Sequence, residues 1–190
     1  LSSVTGDGDS LTLIRVEGPA PSVAHRAREI VGLTTRPAVS LEAEASASVW
    51  ASLRELEPLP LDAGERLWRI SLPPTASAQF RATLSRQVAS SAETPHSAAP
   101  RAFFDWGGGL LWCGLPVSLA ATDVHRMAQE VGGHARLVRA ASAQQGEAGD
   151  EAVDLAFSPL DGANRAVHQR LKLAFDPSGV LNPGRMYAGL

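Results

Sequence analysis

Arg66-Leu67-Trp68-Arg69-Ile70-Ser71-Leu72-Pro73-Pro74 is the stretch from which the fold follows. Trp68, Ile70 and Leu72 alternate with Leu67, Arg69 and Ser71, the period-2 pattern of a strand with one apolar face. The two prolines end it, and Thr75 is placed to cap a helix burying Phe80, Leu84 and Val88, four residues apart. Strands over Arg101–Trp106 and Leu110–Leu115 come next, joined by Gly107-Gly108-Gly109, a hairpin signal. Ser118–Val131 reads as a second helix with Val124, Met127, Ala128 and Val131 on one stripe, ended by Gly132-Gly133. His134–Arg139 returns as a strand. Residues 66–140 therefore read β-α-β-β-α-β, a ferredoxin-like split unit whose antiparallel sheet carries helices on one face.

Outward from that core, Leu11–Glu17 is a predicted strand, with Thr12, Ile14 and Val16 opposite Leu13, Arg15 and Glu17. Gly18-Pro19-Ala20-Pro21-Ser22 breaks it and leads into a helix carrying Val23, Ala27, Ile30 and Val31, with Gly32 as its stop. A short helix is expected over Ser48–Leu56, before Pro58 and Pro60. Toward the other end, Ser90–Pro100 and residues 141–152 read as polar loops. A short strand over Val153–Phe157 and a helix around Ala163–Phe175 follow, the helix with Val167, Leu171, Ala174 and Phe175 on one face. The class is α+β: a ferredoxin-like core, an extra N-terminal β-α unit and a C-terminal helix with a tail. Residues 1–160 form the expected main domain and 161–190 the helix and tail.

Composition narrows the function classes. The chain has 190 residues, 44% hydrophobic and 19% charged, with a formal net charge of −3. That suits a globular domain and supplies no basic face for nucleic acid. No apolar run is long enough for a membrane-spanning helix. Leu1-Ser2-Ser3-Val4 has neither a signal-peptide pattern nor an initiating methionine, so a piece of a longer, cytoplasmic protein is expected. The single cysteine, Cys113, excludes an internal disulfide framework and any multi-cysteine metal site, and is expected as a small buried hydrophobe. Sixteen arginines accompany one lysine, Lys172.

Alternation sends Arg69 to the face opposite Trp68 and Ile70, where its planar fork is a candidate carboxylate ligand. A solvated face with a cross-strand ion pair is the competing reading, and the more favoured one for Arg15 beside Glu17. Asp105, Trp106, Trp112 and Cys113 surround the glycine hairpin, where an aromatic floors a flat ligand or simply joins the core. His134 opens a strand after two glycines and is a candidate for ligand contact. No metal-ligand histidine spacing, G-x-S-x-G elbow or phosphate-cradling glycine loop is present, so no metal is expected.

The C-terminal stretch Leu171-Lys172-Leu173-Ala174-Phe175-Asp176-Pro177-Ser178-Gly179-Val180-Leu181-Asn182-Pro183-Gly184-Arg185 is a helix followed by two tight turns whose prolines fix the chain path. It resembles the terminal signature of FAD-linked oxidases of the vanillyl-alcohol oxidase type. Leu67-Trp68-Arg69-Ile70-Ser71-Leu72-Pro73-Pro74, Asp105-Trp106-Gly107-Gly108-Gly109, Gly132-Gly133-His134-Ala135 and the ending Arg185-Met186-Tyr187 are similar to the cap region of the FAD-binding, GlcE-type subunit of bacterial glycolate oxidase.

The resemblance implies a cap over a flavin held mainly by an N-terminal domain absent from this chain. It places Arg69, Trp106 and His134 toward the substrate space, and Asn182 and Arg185 near the FAD. It implies a small 2-hydroxy acid, glycolate, as substrate, with a catalytic flavin subunit and an iron–sulfur subunit as partners, and membrane association, if any, through them. Paired histidines with an adjacent Glu-His, found in metal-assisted members of the superfamily, are absent here. The residues alone leave a second reading open, a free-standing ferredoxin-like binding or assembly module without redox activity.

Overall fold

The computed structural model describes residues 2–5, 11–34, 38–41, 43–91, 100–141 and 156–190. In chain order the elements are β1 (Ser2–Thr5), β2 (Leu11–Leu13), α1 (Ala20–Leu33), α2 (Ala43–Arg54), β3 (Glu65–Ser71), α3 (Ser77–Ser91), β4 (Ala102–Asp105), β5 (Leu110–Pro116), α4 (Ala121–Glu130), β6 (His134–Arg139) and α5 (Gly162–Phe175). The six strands form one sheet in the order β2-β1-β4-β5-β3-β6. Every neighbouring pair is antiparallel. Within it, β4-β5-β3-β6 with α3 and α4 is the expected split unit, and β3 lies between β5 and β6.

The alternation of β3 decides the layering. Trp68 and Ile70, with Leu72 just beyond the strand, are buried under Phe80, Leu84 and Val88 of α3 and under Val124, Met127 and Ala128 of α4. The opposite face carries a smaller buried cluster at one end. There Leu59, Leu67 and Phe103 are buried, with Leu56, Leu61 and Trp112 packed against them. The chain leaving α2 thus lies across one end of this second face. Arg101 holds it with ion pairs of 2.7 Å to both Asp62 and Glu65. Cys113 is fully buried in the main core, and burial pushes its thiol pKa up, so it is inert.

Several boundaries differ from expectation. The Leu11–Glu17 strand stops at Leu13, because its partner β1 begins at Ser2, the residue paired with Leu13. Beyond that point Arg15 pairs with Glu17 and lies over the Trp50 ring, 5.9 Å from its centroid. The N-terminal strand β1 itself was not foreseen; its short polar sequence carries no periodic signal. Helix α1 runs through Gly32, and Thr34 ends it by donating from both its backbone N–H and its hydroxyl to the Val31 carbonyl. Helix α2 occupies Ala43–Arg54 instead of Ser48–Leu56, and Leu56 turns into a left-handed conformation with φ 60°. Thr75 sits within a 3-10 turn, Pro74–Ala76, and α3 begins at Ser77. Ser118 lies in a turn, and α4 begins at Ala121.

The apolar face of α5 is present as predicted, but Val167, Leu171 and Phe175 are 48, 51 and 82% exposed. Among the described residues the tail covers only part of it. Of the loops expected over Ser90–Pro100 and 141–152, residues 92–99 and 142–152 lie outside the described residues, as does the start of the strand expected over Val153–Phe157; Phe157 itself forms an isolated antiparallel bridge with Arg136. Among the described residues, no helix is long and apolar enough to cross a membrane.

Gly133 makes the turn from α4 into β6 possible, since a Cβ there would collide with the Ser71 carbonyl and press on Leu72 at 3.0 Å. Gly133→Ala is therefore expected to cost about 1–3 kcal/mol by overpacking. Gly64→Ala, where the added Cβ meets nothing within 4 Å, is expected to stay within about 0.5 kcal/mol of the parent. Urea denaturation of the two variants checks the contrast.

Candidate functional site

Strand β3 projects Arg69 onto the second face, and two tryptophans fix its position. Its guanidinium carbon lies 5.3 Å from the Trp106 ring centroid and 6.0 Å from that of Trp112. Trp112 stands directly opposite Arg69 on β5, and Trp106 reaches over from the β4–β5 turn. Stacking of this kind holds a guanidinium through its faces and leaves its in-plane N–H donors for an oxygen ligand. Among the described residues no carboxylate pairs with Arg69, whereas Arg15, Arg54, Arg101 and Arg126 all have acidic partners. A cavity of about 300 Å³ opens beside it, with Trp50, Leu53 and Arg54 of α2 forming the far wall.

The turn that carries Trp106 is strained and anchored. Trp106 has φ 52°, a left-handed backbone unusual for a bulky side chain, and its ring is 63% exposed. The Asp105 carboxylate accepts from the Trp106 N–H at 2.7 Å. Gly107 and Gly108 supply the left-handed steps that follow, with φ 62° and 96°. Ser77, at the start of α3, donates its hydroxyl to the Gly108 carbonyl. An exposed indole held in a costly backbone conformation marks a place where the surrounding structure determines the side chain's direction.

Across the sheet, Arg69 faces Arg136 on β6. Arg136 in turn lies over Phe157, 5.0 Å from its centroid. Arg136 and Phe157 form one wall of a second cavity, of about 570 Å³, closed by His168 and Leu171 of α5 and by Asn182, Arg185 and Tyr187 of the tail. No carboxylate belongs to that lining. Among the described residues Arg136 and Arg185 have no acidic partner either.

The tail reaches this cavity because Asp176 organises it. The buried Asp176 carboxylate accepts from the Val180 N–H at 3.0 Å and the Leu181 N–H at 2.8 Å, and pairs with Lys172 at 2.6 Å. Lys172 also donates to the Leu181 carbonyl. The lysine hydrogen bond, helped by the two backbone donors, holds the Asp176 pKa below its ordinary value. Asn182 then takes φ 47°, and the tail doubles back along α5. Tyr187 donates its hydroxyl to the Ser158 carbonyl at 3.1 Å, and Arg165 donates to the Ala188 carbonyl at 3.3 Å.

The residues singled out from sequence thus separate into two places. Arg69 and Trp106 come together in the first cavity, and Asn182 and Arg185 in the second. His134 lines neither; it is exposed at the start of β6, paired in register with Ser71. Trp50, Arg136 and Phe157 went unnoticed. Arg136 was legible as an outward residue of His134–Arg139, but its place opposite Arg69 depends on strand register, which no local pattern specifies. Among the described residues no group of three or more His, Cys, Asp or Glu is arranged to hold a metal ion.

Comparison with known proteins finds a relative longer than this chain. The chain is 33% identical over 183 residues to the glycolate oxidase subunit GlcE of Escherichia coli (strain K12). The match takes in 96% of this chain but only 40% of that relative's length. This bears out the resemblance to the GlcE-type subunit and is consistent with a C-terminal region of it. No protein-family model matches the chain.

Because its folded pKa is depressed, Asp176 stabilises the tail fully above its unfolded pKa of about 3.9. That contribution fades as pH falls below this value through the lower folded pKa. Hydrogen exchange at the Val180 and Leu181 amides is expected to show protection at neutral pH and its loss in acid below about pH 4. Asp176→Asn is expected to lose much of that protection already at neutral pH.

Proposed function

We propose that this chain is the cap region of an FAD-dependent glycolate oxidase subunit, roofing a flavin bound mainly by a domain outside it. The observation that carries the reading is Arg69. It lies against two indole rings, with no carboxylate partner among the described residues, on the sheet face opposite α3 and α4. A small 2-hydroxy acid offers the carboxylate such a fork takes in bidentate fashion. The similarity to GlcE supplies the substrate class, and the exposed apolar faces of α5 and the tail fit burial against a further domain.

In this reading Arg69 binds and orients the carboxylate, while Trp106 and Trp112 keep the guanidinium in place and exclude water from one side. A flavin held over this face would supply the hydride acceptor for oxidation of glycolate to glyoxylate. The second cavity fits contact with only part of such a cofactor. The Asn182 amide and the Arg185 guanidinium offer donors beside the Phe157 and Tyr187 rings, but no glycine-rich phosphate cradle accompanies them. Asp105, the one carboxylate lining the Arg69 cavity, is engaged by the Trp106 N–H, so we assign proton removal to a group beyond the described residues, in the flavin domain or a partner flavin subunit. An iron–sulfur partner subunit would supply the onward electron acceptor. In this reading the protein is cytoplasmic, with any membrane association through its partners.

A free-standing assembly module would have its exposed apolar faces satisfied by self-association and would ignore flavin. The test is glycolate-dependent dye reduction by the flavin-loaded, full-length protein. Arg69→Gln is expected to lower kcat/KM about 10- to 100-fold, as loss of a charge-assisted bidentate contact does. The loss is expected chiefly in KM, because the contact serves ground and transition states alike. An unchanged kcat/KM refutes the assignment. In a companion titration, this chain alone is expected to leave FAD fluorescence unaltered while the full-length protein changes it.

A further inference from the structure

We propose that Ser77 is a positioning residue of the Arg69 site, setting through its hydroxyl where Trp106 stands and, through that indole, where the Arg69 guanidinium points. The proposal deepens the reading of Arg69 as a carboxylate ligand and rests on it. Ser77 lines neither cavity, so it acts only through the turn between β4 and β5. Trp106, Gly107 and Gly108 take positive φ in succession, 52°, 62° and 96°. Two bonds close that turn on itself: the Asp105 carboxylate accepts from the Trp106 N–H, and the Gly109 N–H donates to the Trp106 carbonyl at 3.2 Å. Neither fixes how the turn stands on the sheet. That orientation comes from two further bonds, the Leu72 N–H to the Gly109 carbonyl at 2.9 Å and the Ser77 hydroxyl to the Gly108 carbonyl.

Burial makes Ser77 a fixed point. It is the first residue of α3 and is buried, one turn before the buried Phe80 that fastens the helix to the core. The approach is close: a Cβ on Gly108 would stand 3.4 Å from the Ser77 Oγ and 3.7 Å from the Pro74 carbonyl oxygen. Ser77 belongs to the sheet face covered by α3, whereas Trp106 hangs over the opposite face, 5.3 Å from the Arg69 guanidinium. The turn therefore carries the rigidity of the helix layer around the end of the sheet to the site. Without the serine hydroxyl the half-buried Gly108 carbonyl loses its donor. The turn is then free to swing, and Arg69 gives up one of the two ring faces that steady it.

The test is the kinetics of glycolate-dependent dye reduction by the flavin-loaded, full-length protein, with urea denaturation alongside. Ser77→Ala is expected to raise KM about three- to tenfold, the scale of one lost hydrogen bond. Its kcat is expected to stay within about twofold of the parent, because a carboxylate contact serves ground and transition states alike. Trp106→Leu is expected to raise KM as well. Adding Ser77→Ala to Trp106→Leu is expected to change KM no further, since two residues that act through one contact are not additive. A Ser77→Ala variant that loses stability at unchanged KM, one that lowers kcat instead, or one whose effect on KM persists in full beside Trp106→Leu overturns the proposal. If Arg69→Gln raises KM and Ser77→Ala does not, this assignment alone falls and the carboxylate reading stands. If Arg69→Gln leaves KM unchanged, both fall.

Discussion

The architecture depends on the pairing of one strand, β3, with β5 on one side and β6 on the other. A strand hydrogen-bonded along both edges has no freedom to slip, because a one-residue shift would exchange the Trp68 and Ile70 face for the Leu67, Arg69 and Ser71 face. The fully buried Ile70 and nearly buried Trp68 enforce that register from the helix side. The same constraint aims Arg69 at the opposite side and sets Trp112 and Arg136 as its neighbours. Core packing and site geometry are therefore one event: the residues that lock the sheet to α3 and α4 also decide what faces away from them.

On that far side, polar groups are distributed unevenly. Arg101 is consumed by two carboxylates in tying the chain after α2 across the sheet, a structural use of an arginine. Arg69, a short distance along the same face, is held among the described residues by ring faces and no carboxylate. The difference separates an arginine that fastens from one that can receive. Trp106 supports the distinction, since its backbone adopts a conformation that only its bonds to Asp105 and the glycines after it sustain.

The central β-α-β-β-α-β order was legible because RLWRISL, the apolar spacing of Phe80, Leu84 and Val88, and the three-glycine turn each carry a strong local period. β1 was not, because Ser2-Ser3-Val4-Thr5 is a short polar edge segment whose strand state comes from its neighbours β2 and β4. The helix stop expected at Gly32 failed for a related reason: a glycine permits a stop without requiring one, and the threonine two residues later provides the carbonyl partner. As for the site, alternation alone indicated which way Arg69 points. It gave no hint of Arg136 or Phe157, which meet Arg69's row through a register set by long-range pairing. The α5 stripe read correctly as apolar, yet Val167, Leu171 and Phe175 stay largely exposed.

Lys172 carries one last consequence. It is the only lysine in this chain, and its ammonium is occupied by Asp176 and the Leu181 carbonyl. An amine engaged in an ion pair and a hydrogen bond is shielded from acylating reagents, so its reactivity rises when the tail lets go of α5. Within this stretch the residue is thus a built-in chemical reporter, a single amine whose labelling rate measures how often the terminal turns come undone.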